Sequence, residues 1–200
     1  MSKLLMSAAT AAMVLLAAPV SAQWYVGAGI GSAKISNFDP GSNGVTFSGD
    51  TSKTTGKALA GIQFDPNWGL EAQYVSMGSR NITAQLNGAS GTATSITAHE
   101  WGLAGTFMYP VYQGFFLHAK LGVSRNYIGS GTFCVGATCS SINGKSQTEA
   151  LFGFGFGNKF NEHWSIKGGY ENFGNFVATS GANNSKKKGS NAGLNVIYSF

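Results

Sequence analysis

The chain has 200 residues, of which 10% are charged and 12% aromatic, with 29 glycines and 4 prolines. So much apolar and aromatic side chain excludes a disordered chain, and so little charge, against roughly 25% in ordinary soluble domains, argues against a soluble surface. The formal net charge is +5, but the basic residues are scattered, and the export signal below takes the chain away from nucleic acid.

Lys3 is followed by an almost wholly apolar or small stretch to Val20, and Val20-Ser21-Ala22 then supplies small residues at a cleavage site. This is the pattern of a secretory signal peptide, cut after Ala22. A membrane anchor competes with it, but the apolar run falls short of the ~20 residues a spanning helix needs. The expected organisation is a signal peptide over residues 1–22 and one domain over residues 23–200, about 178 residues (200 minus 22).

Residues 23–35 alternate as a strand, with Trp24, Val26, Ala28 and Ile30 on one face and Tyr25, Gly27, Gly29 and Gly31 on the other. The glycine spacing is that of a phosphate loop, but no helix follows it. Residues 36–54 are a polar, glycine-rich loop. A second strand over residues 55–64 sets Ala58, Ala60, Ile62 and Phe64 against Lys57, Leu59, Gly61 and Gln63. Asp65-Pro66-Asn67 turns tightly into a third strand, with Trp68, Leu70, Ala72 and Tyr74 opposite Glu71, Gln73 and Val75. Residues 77–97 read as a second long loop.

The fourth strand, residues 98–109, aligns Trp101, Leu103, Gly105, Phe107 and Tyr109 against Glu100, Gly102, Ala104 and Thr106. After a turn at 110–114, the fifth strand (115–125) faces Phe115, Leu117, Ala119, Leu121 and Val123 outward and His118, Lys120, Gly122 and Ser124 inward. A third long loop, 126–147, carries both cysteines. The sixth strand (148–158) puts Ala150, Phe152, Phe154 and Phe156 against Glu149, Leu151 and three glycines. The seventh (164–172) has Trp164, Ile166, Gly168 and Tyr170 outward, Lys167, Gly169 and Glu171 inward. A fourth long loop, 173–189, precedes the last strand, 190–200, in which Leu194, Val196, Tyr198 and Phe200 share a face.

Strands of roughly ten residues suit a tilted membrane crossing. Aromatics gather at the short turns (Phe64, Trp68, Tyr109, Phe115, Phe160, Trp164 and Phe200), as at a membrane interface. The expected fold is all-β: an eight-stranded antiparallel transmembrane β-barrel of up-and-down topology, with four long external loops and three short periplasmic turns. Residues 24–30 should pair with the last strand to close it. A soluble lipocalin-like ligand-binding barrel is the alternative. Alternation alone suits both; the aromatic girdle and the glycine-filled second face favour the membrane.

The stretch Gly61-Ile-Gln-Phe-Asp-Pro-Asn-Trp-Gly-Leu-Glu71-Ala-Gln-Tyr74 resembles the second hairpin arm and third strand of the OmpA transmembrane domain. Tyr109-Pro110, leading to Ala119-Lys120-Leu121-Gly122, does so too. These motifs are similar to those of OmpA-like, OmpX-like and opacity-type surface proteins in general. The ending also resembles the C-terminal signal of bacterial outer-membrane proteins. The resemblance implies a place in the bacterial outer membrane, contact with its lipid and lipopolysaccharide, and recognition of Leu194, Val196, Tyr198 and Phe200 by the barrel-assembly machinery. A peptidoglycan-binding domain is not expected after the barrel.

The inward charges are Lys57, Glu71, Glu100, Lys120, Glu149, Lys167 and Glu171. Eight strands leave an interior just wide enough for side chains, and buried charges must pair. A salt-bridged plug is expected, with a narrow gated pore as the sharper alternative. The resemblance implies that Glu71 pairs with Lys167, where lysine in place of arginine loses the bidentate fork. Cys134 and Cys139 suit a disulfide in an exported loop. Lys186-Lys187-Lys188 suits a solvated loop tip or contact with lipopolysaccharide phosphates.

The expected function is therefore a structural, porin-like surface protein, with adhesion to host or surface ligands through the external loops. A lipid A-modifying acyl hydrolase or transferase is the alternative. Of the three histidines, His163 lies at a periplasmic turn, His118 faces the lumen, and His99 sits beside Glu100 high on its strand. No serine stands at a diagnostic spacing from them, so no enzyme, cofactor or metal site is expected.

Overall fold

A computed structural model describes residues 22–35, 45–49, 52–86, 89–90, 94–135, 138–180 and 183–200. The expected signal peptide lies outside them, but for Ala22. The strands are β1 (Gln23–Ile35), β2 (Val45–Gly49), β3 (Ser52–Gln63), β4 (Trp68–Leu86), β5 (Ala89–Ser90), β6 (Thr94–Tyr112), β7 (Phe115–Ile128), β8 (Gly131–Val135), β9 (Thr138–Gly144), β10 (Ser146–Lys159), β11 (Trp164–Ser180) and β12 (Asn183–Ser199). Eight of them pair in the order β10-β7-β6-β4-β3-β1-β12-β11, and β10 pairs with β11 to close the circle. Every pairing is antiparallel. The wall is an eight-stranded barrel with no open edge, so its backbone groups are satisfied without water.

The seam lies where the alternation predicts. β1 and β12 pair from Tyr25↔Ser199 to Ile35↔Gly189, and the Phe200 amide donates to the Trp24 carbonyl at 2.9 Å. At the short-turn end the same chemistry appears twice. Asp65 Oδ1 accepts from the amides of Asn67 and Trp68 (2.7 and 2.8 Å). Asn161 Oδ1 accepts from those of His163 and Trp164 (2.9 and 2.8 Å). These side chains mimic a backbone turn.

At the other end the strands run further than the apolar pattern does. β4 and β6 stay paired as far as Ile82↔Thr94, and β11 and β12 as far as Ser180↔Asn183. Much of the expected loops 77–97, 126–147 and 173–189 is thus paired strand. Ser, Thr and Asn satisfy the ladder as well as apolar residues do once one face no longer has to meet lipid. Lys186, Lys187 and Lys188 accordingly lie in β12, opposite Val177, Phe176 and Asn175, and not at a loop tip.

Outward faces are as read, with Trp24, Ile30, Leu103, Leu121, Phe154, Phe156, Leu194 and Val196 exposed. Two positions differ: Ile62 is buried, 3% exposed, and so is Gly168. The register partners of Ile62 are Trp24 and Leu70.

The hairpin end of the lumen is apolar. Val75, Met77, Leu151, Phe173 and Phe176 are fully buried in one cluster with Ala33, Ile35, Ile96, Ala98, Ala104 and Ile128. A β-bulge builds it. Between Asn172↔Ser190 and Gly174↔Gly189 the β11 ladder skips Phe173. The extra residue flips the parity, so odd Phe173 and even Phe176 both point inward. Gly174 takes φ +73° there, where a side chain would be strained. From β7, on the other side of β10, Ser124 Oγ and Asn126 Nδ2 donate to the Phe173 carbonyl at 2.9 and 2.6 Å. The bulge thus keeps no orphan acceptor.

Candidate functional site

Below the apolar layer, β3, β4, β7 and β11 each send charge into the lumen. Lys120 Nζ lies 2.6 Å from Glu71 Oε1 and 2.7 Å from Glu171 Oε1. Lys57 Nζ lies 2.5 Å from Glu171 Oε1. Gln73 joins the group, accepting from Lys120 Nζ at 3.1 Å and donating to Glu171 and Glu100 at 3.3 and 3.2 Å. Tyr25 donates its hydroxyl to Glu71 Oε2 at 3.1 Å. All of these side chains are buried. Gly153 makes the room, since an added Cβ would sit 3.0 Å from both Lys120 and Glu171.

Two of the sequence-based assignments are sharpened and the third is corrected. Lys167 is 3.7 Å from Glu71, so the close partner of Glu71 is Lys120 and the expected Glu71–Lys167 pair is the looser one. Lys167 Nζ also stands 4.5 Å above the Tyr25 ring. Glu100, fully buried, is held by Gln73, with no lysine in ion-pair range among the described residues. Glu149 is outside the network: Gln147 and Asn175 donate to it at 2.6 and 3.3 Å. Its position nearer the hairpin end puts it beyond the lysines' reach.

The histidines do not converge. His118 Nε2 lies 3.3 Å from the Gly168 carbonyl inside the barrel. His163 Nδ1 lies 2.8 Å from the Ser199 carbonyl at the short-turn end. His99 is on the outer face, its ring stacked on Tyr127 at 4.6 Å. Tyr74 and Trp101 adjoin it, their rings 4.7 Å apart. This second aromatic group was missed by a reading that followed only the short turns. Its signal was there: Tyr74, Trp101 and His99 stand at the far ends of neighbouring outward faces. Cys134 and Cys139 face one another in the β8–β9 hairpin.

The arrangement holds charge in place. The lumenal cavities beside the ion pairs measure about 20 Å³ (lined by Glu71, Lys120 and Lys167) and about 30 Å³ (lined by Tyr25 and Phe116). Each has room for one or two waters.

Residues 4–200 match the family model described as an outer membrane protein beta-barrel domain. Among solved structures, OprG from Pseudomonas aeruginosa is 16% identical with a TM-score of 0.61, covering 89% of this chain and 95% of its own. Neisserial surface protein A is 14% identical with a TM-score of 0.59, covering 90% and 99%. Ail, the attachment invasion locus protein of Yersinia pestis, solved with the heparin analogue sucrose octasulfate, is 12% identical with a TM-score of 0.52, covering 90% and 99%. At such identities the likeness is one of fold. No curated protein sequence matches significantly.

Proposed function

The chain belongs to the outer membrane protein beta-barrel domain family, and from that premise we propose that it is a structural surface barrel whose lumen stays shut. The single observation that carries this is two seals in series. Lys120 bridges Glu71 and Glu171 in the middle, and Val75, Met77, Leu151, Phe173 and Phe176 fill the lumen above. A solute crossing it has to displace both. Purified protein in a planar bilayer should give no sustained openings. Steady wild-type conductance would replace this reading with a porin.

Adhesion through the hairpin end is the second reading. Its support is that the β4–β6 and β11–β12 ladders continue as long paired hairpins. Ail, of similar fold, was solved with a sulfated sugar, and here Lys186–Lys188 supply positive charge on β12. Binding to immobilised heparin that survives Lys187→Gln and Lys188→Gln together would remove the lysines from it.

Three further proposals belong to the same picture. The mature chain begins at Gln23, which N-terminal sequencing checks. Cys134 and Cys139 form a disulfide, since opposed strand residues sit at a bridgeable Cα spacing; alkylation of non-reduced protein should find no thiol. Phe200 with Leu194, Val196 and Tyr198 serves the assembly machinery, so deletion of Phe200 should lower the assembled fraction more than deletion of any residue of the third long loop, 126–147, does.

A further inference from the structure

Outside the lumen, one aromatic patch of the wall has an arginine beside it. On the outer face of β4, β6 and β7, near the hairpin end, Tyr74, His99, Trp101 and Tyr127 form a continuous aromatic shelf. Tyr74 lies 5.9 Å from His99 and 4.7 Å from Trp101, and His99 lies 4.6 Å from Tyr127. Arg125 stands directly across the ladder from Trp101. It is exposed, and its Nη2 donates to Ser146 Oγ at 3.2 Å; a guanidinium has five N–H donors, so one such bond leaves others for a ligand.

Just below, Leu103, Leu121 and Val123 are exposed and apolar. The shelf therefore marks the upper edge of the apolar band, the level of lipid headgroups. Charge is distributed unevenly between the two ends. Among the described residues, no Asp or Glu faces outward at the hairpin end; the exposed acids, Asp65 and Glu162, sit in the short turns opposite.

We propose that the Arg125 shelf is a seat for the phosphorylated glycolipid of the outer leaflet, with a phosphate on the Arg125 guanidinium and the sugar against Trp101 and Tyr127. Guanidinium matches phosphate with paired donors, and aromatic rings with a polar edge suit the boundary between acyl chain and headgroup. The inference rests on the outer-membrane reading and assigns the glycolipid to the wall, away from the β12 lysines.

The test uses the folded protein in neutral detergent micelles, titrated separately with diphosphoryl lipid A, its dephosphorylated form and phosphatidylglycerol. Tryptophan fluorescence reads binding, and heat-modifiable gel mobility reads the folded barrel. Diphosphoryl lipid A should bind in preference to the other two. Arg125→Gln should raise its half-saturating amount about tenfold, the loss of a charge-assisted bond. Arg125→Lys should fall between, and Lys159→Gln, at the other rim, should match wild type. Equal binding of dephosphorylated lipid A or of phosphatidylglycerol overturns the proposal, as does an unchanged Arg125→Gln titration. A barrel that runs as folded yet ignores lipid A overturns this inference and leaves the family reading intact.

Discussion

In the middle of the lumen Lys120 touches Glu71 and Glu171 at 2.6 and 2.7 Å; nearer the hairpin end Val75, Met77, Leu151, Phe173 and Phe176 pack side by side. Both regions are buried, but they tolerate damage differently. The apolar layer is stabilised in proportion to what it buries, so a truncation removes transfer energy and leaves a cavity. The ionic layer has little net stability to give, because desolvation offsets most of the attraction. It is costly mainly to break on one side. The barrel thus gains bulk stability from one layer and a fixed side-chain arrangement from the other.

Breaking the ionic layer at its hub should show the largest effect. Lys120→Met leaves two buried carboxylates short of their main partner and should cost about 3–5 kcal/mol, read from urea unfolding in detergent. Phe173→Ala in the apolar layer should come next, at about 3 kcal/mol. A Phe173→Ala loss well above that of Lys120→Met would reverse the comparison. Between the layers, Gly122→Ala should cost about 1–3 kcal/mol by overpacking, since its Cβ would lie 2.5 Å from Ala104 Cα. Gly105→Ala on the outer face, where the nearest atom is 3.8 Å away, should be close to neutral. Lys167→Met should cost clearly less than Lys120→Met, because its Glu71 contact is 3.7 Å. Equal losses would give the Glu71–Lys167 contact the same weight as the Lys120 contacts.

The faces of the wall were legible because lipid demands an apolar residue at every second position, and Trp24 to Ile30 or Phe152 to Phe156 obey that without exception. Inward orientation of Lys57, Glu71, Lys120, Lys167 and Glu171 followed from the same parity. Their pairing did not. Which lysine reaches Glu71 depends on the stagger between β4, β7 and β11, and no local pattern encodes it. Parity also fails at a bulge, so Phe173 and Phe176 read as loop residues when they are the core of the outer seal. Ile62 departs for a different cause: alternation gives a side chain's face, while its burial depends on neighbours from other strands, here paired at Trp24 and Leu70.

The central claim is that the lumen is shut twice, and single-channel recording of Glu71→Ala tests it most directly. With the Phe173–Phe176 layer still in place above, the variant should conduct no more than wild type in a planar bilayer. Stable openings produced by Glu71→Ala alone would mean that the ion pairs are the only gate, and would contradict the account.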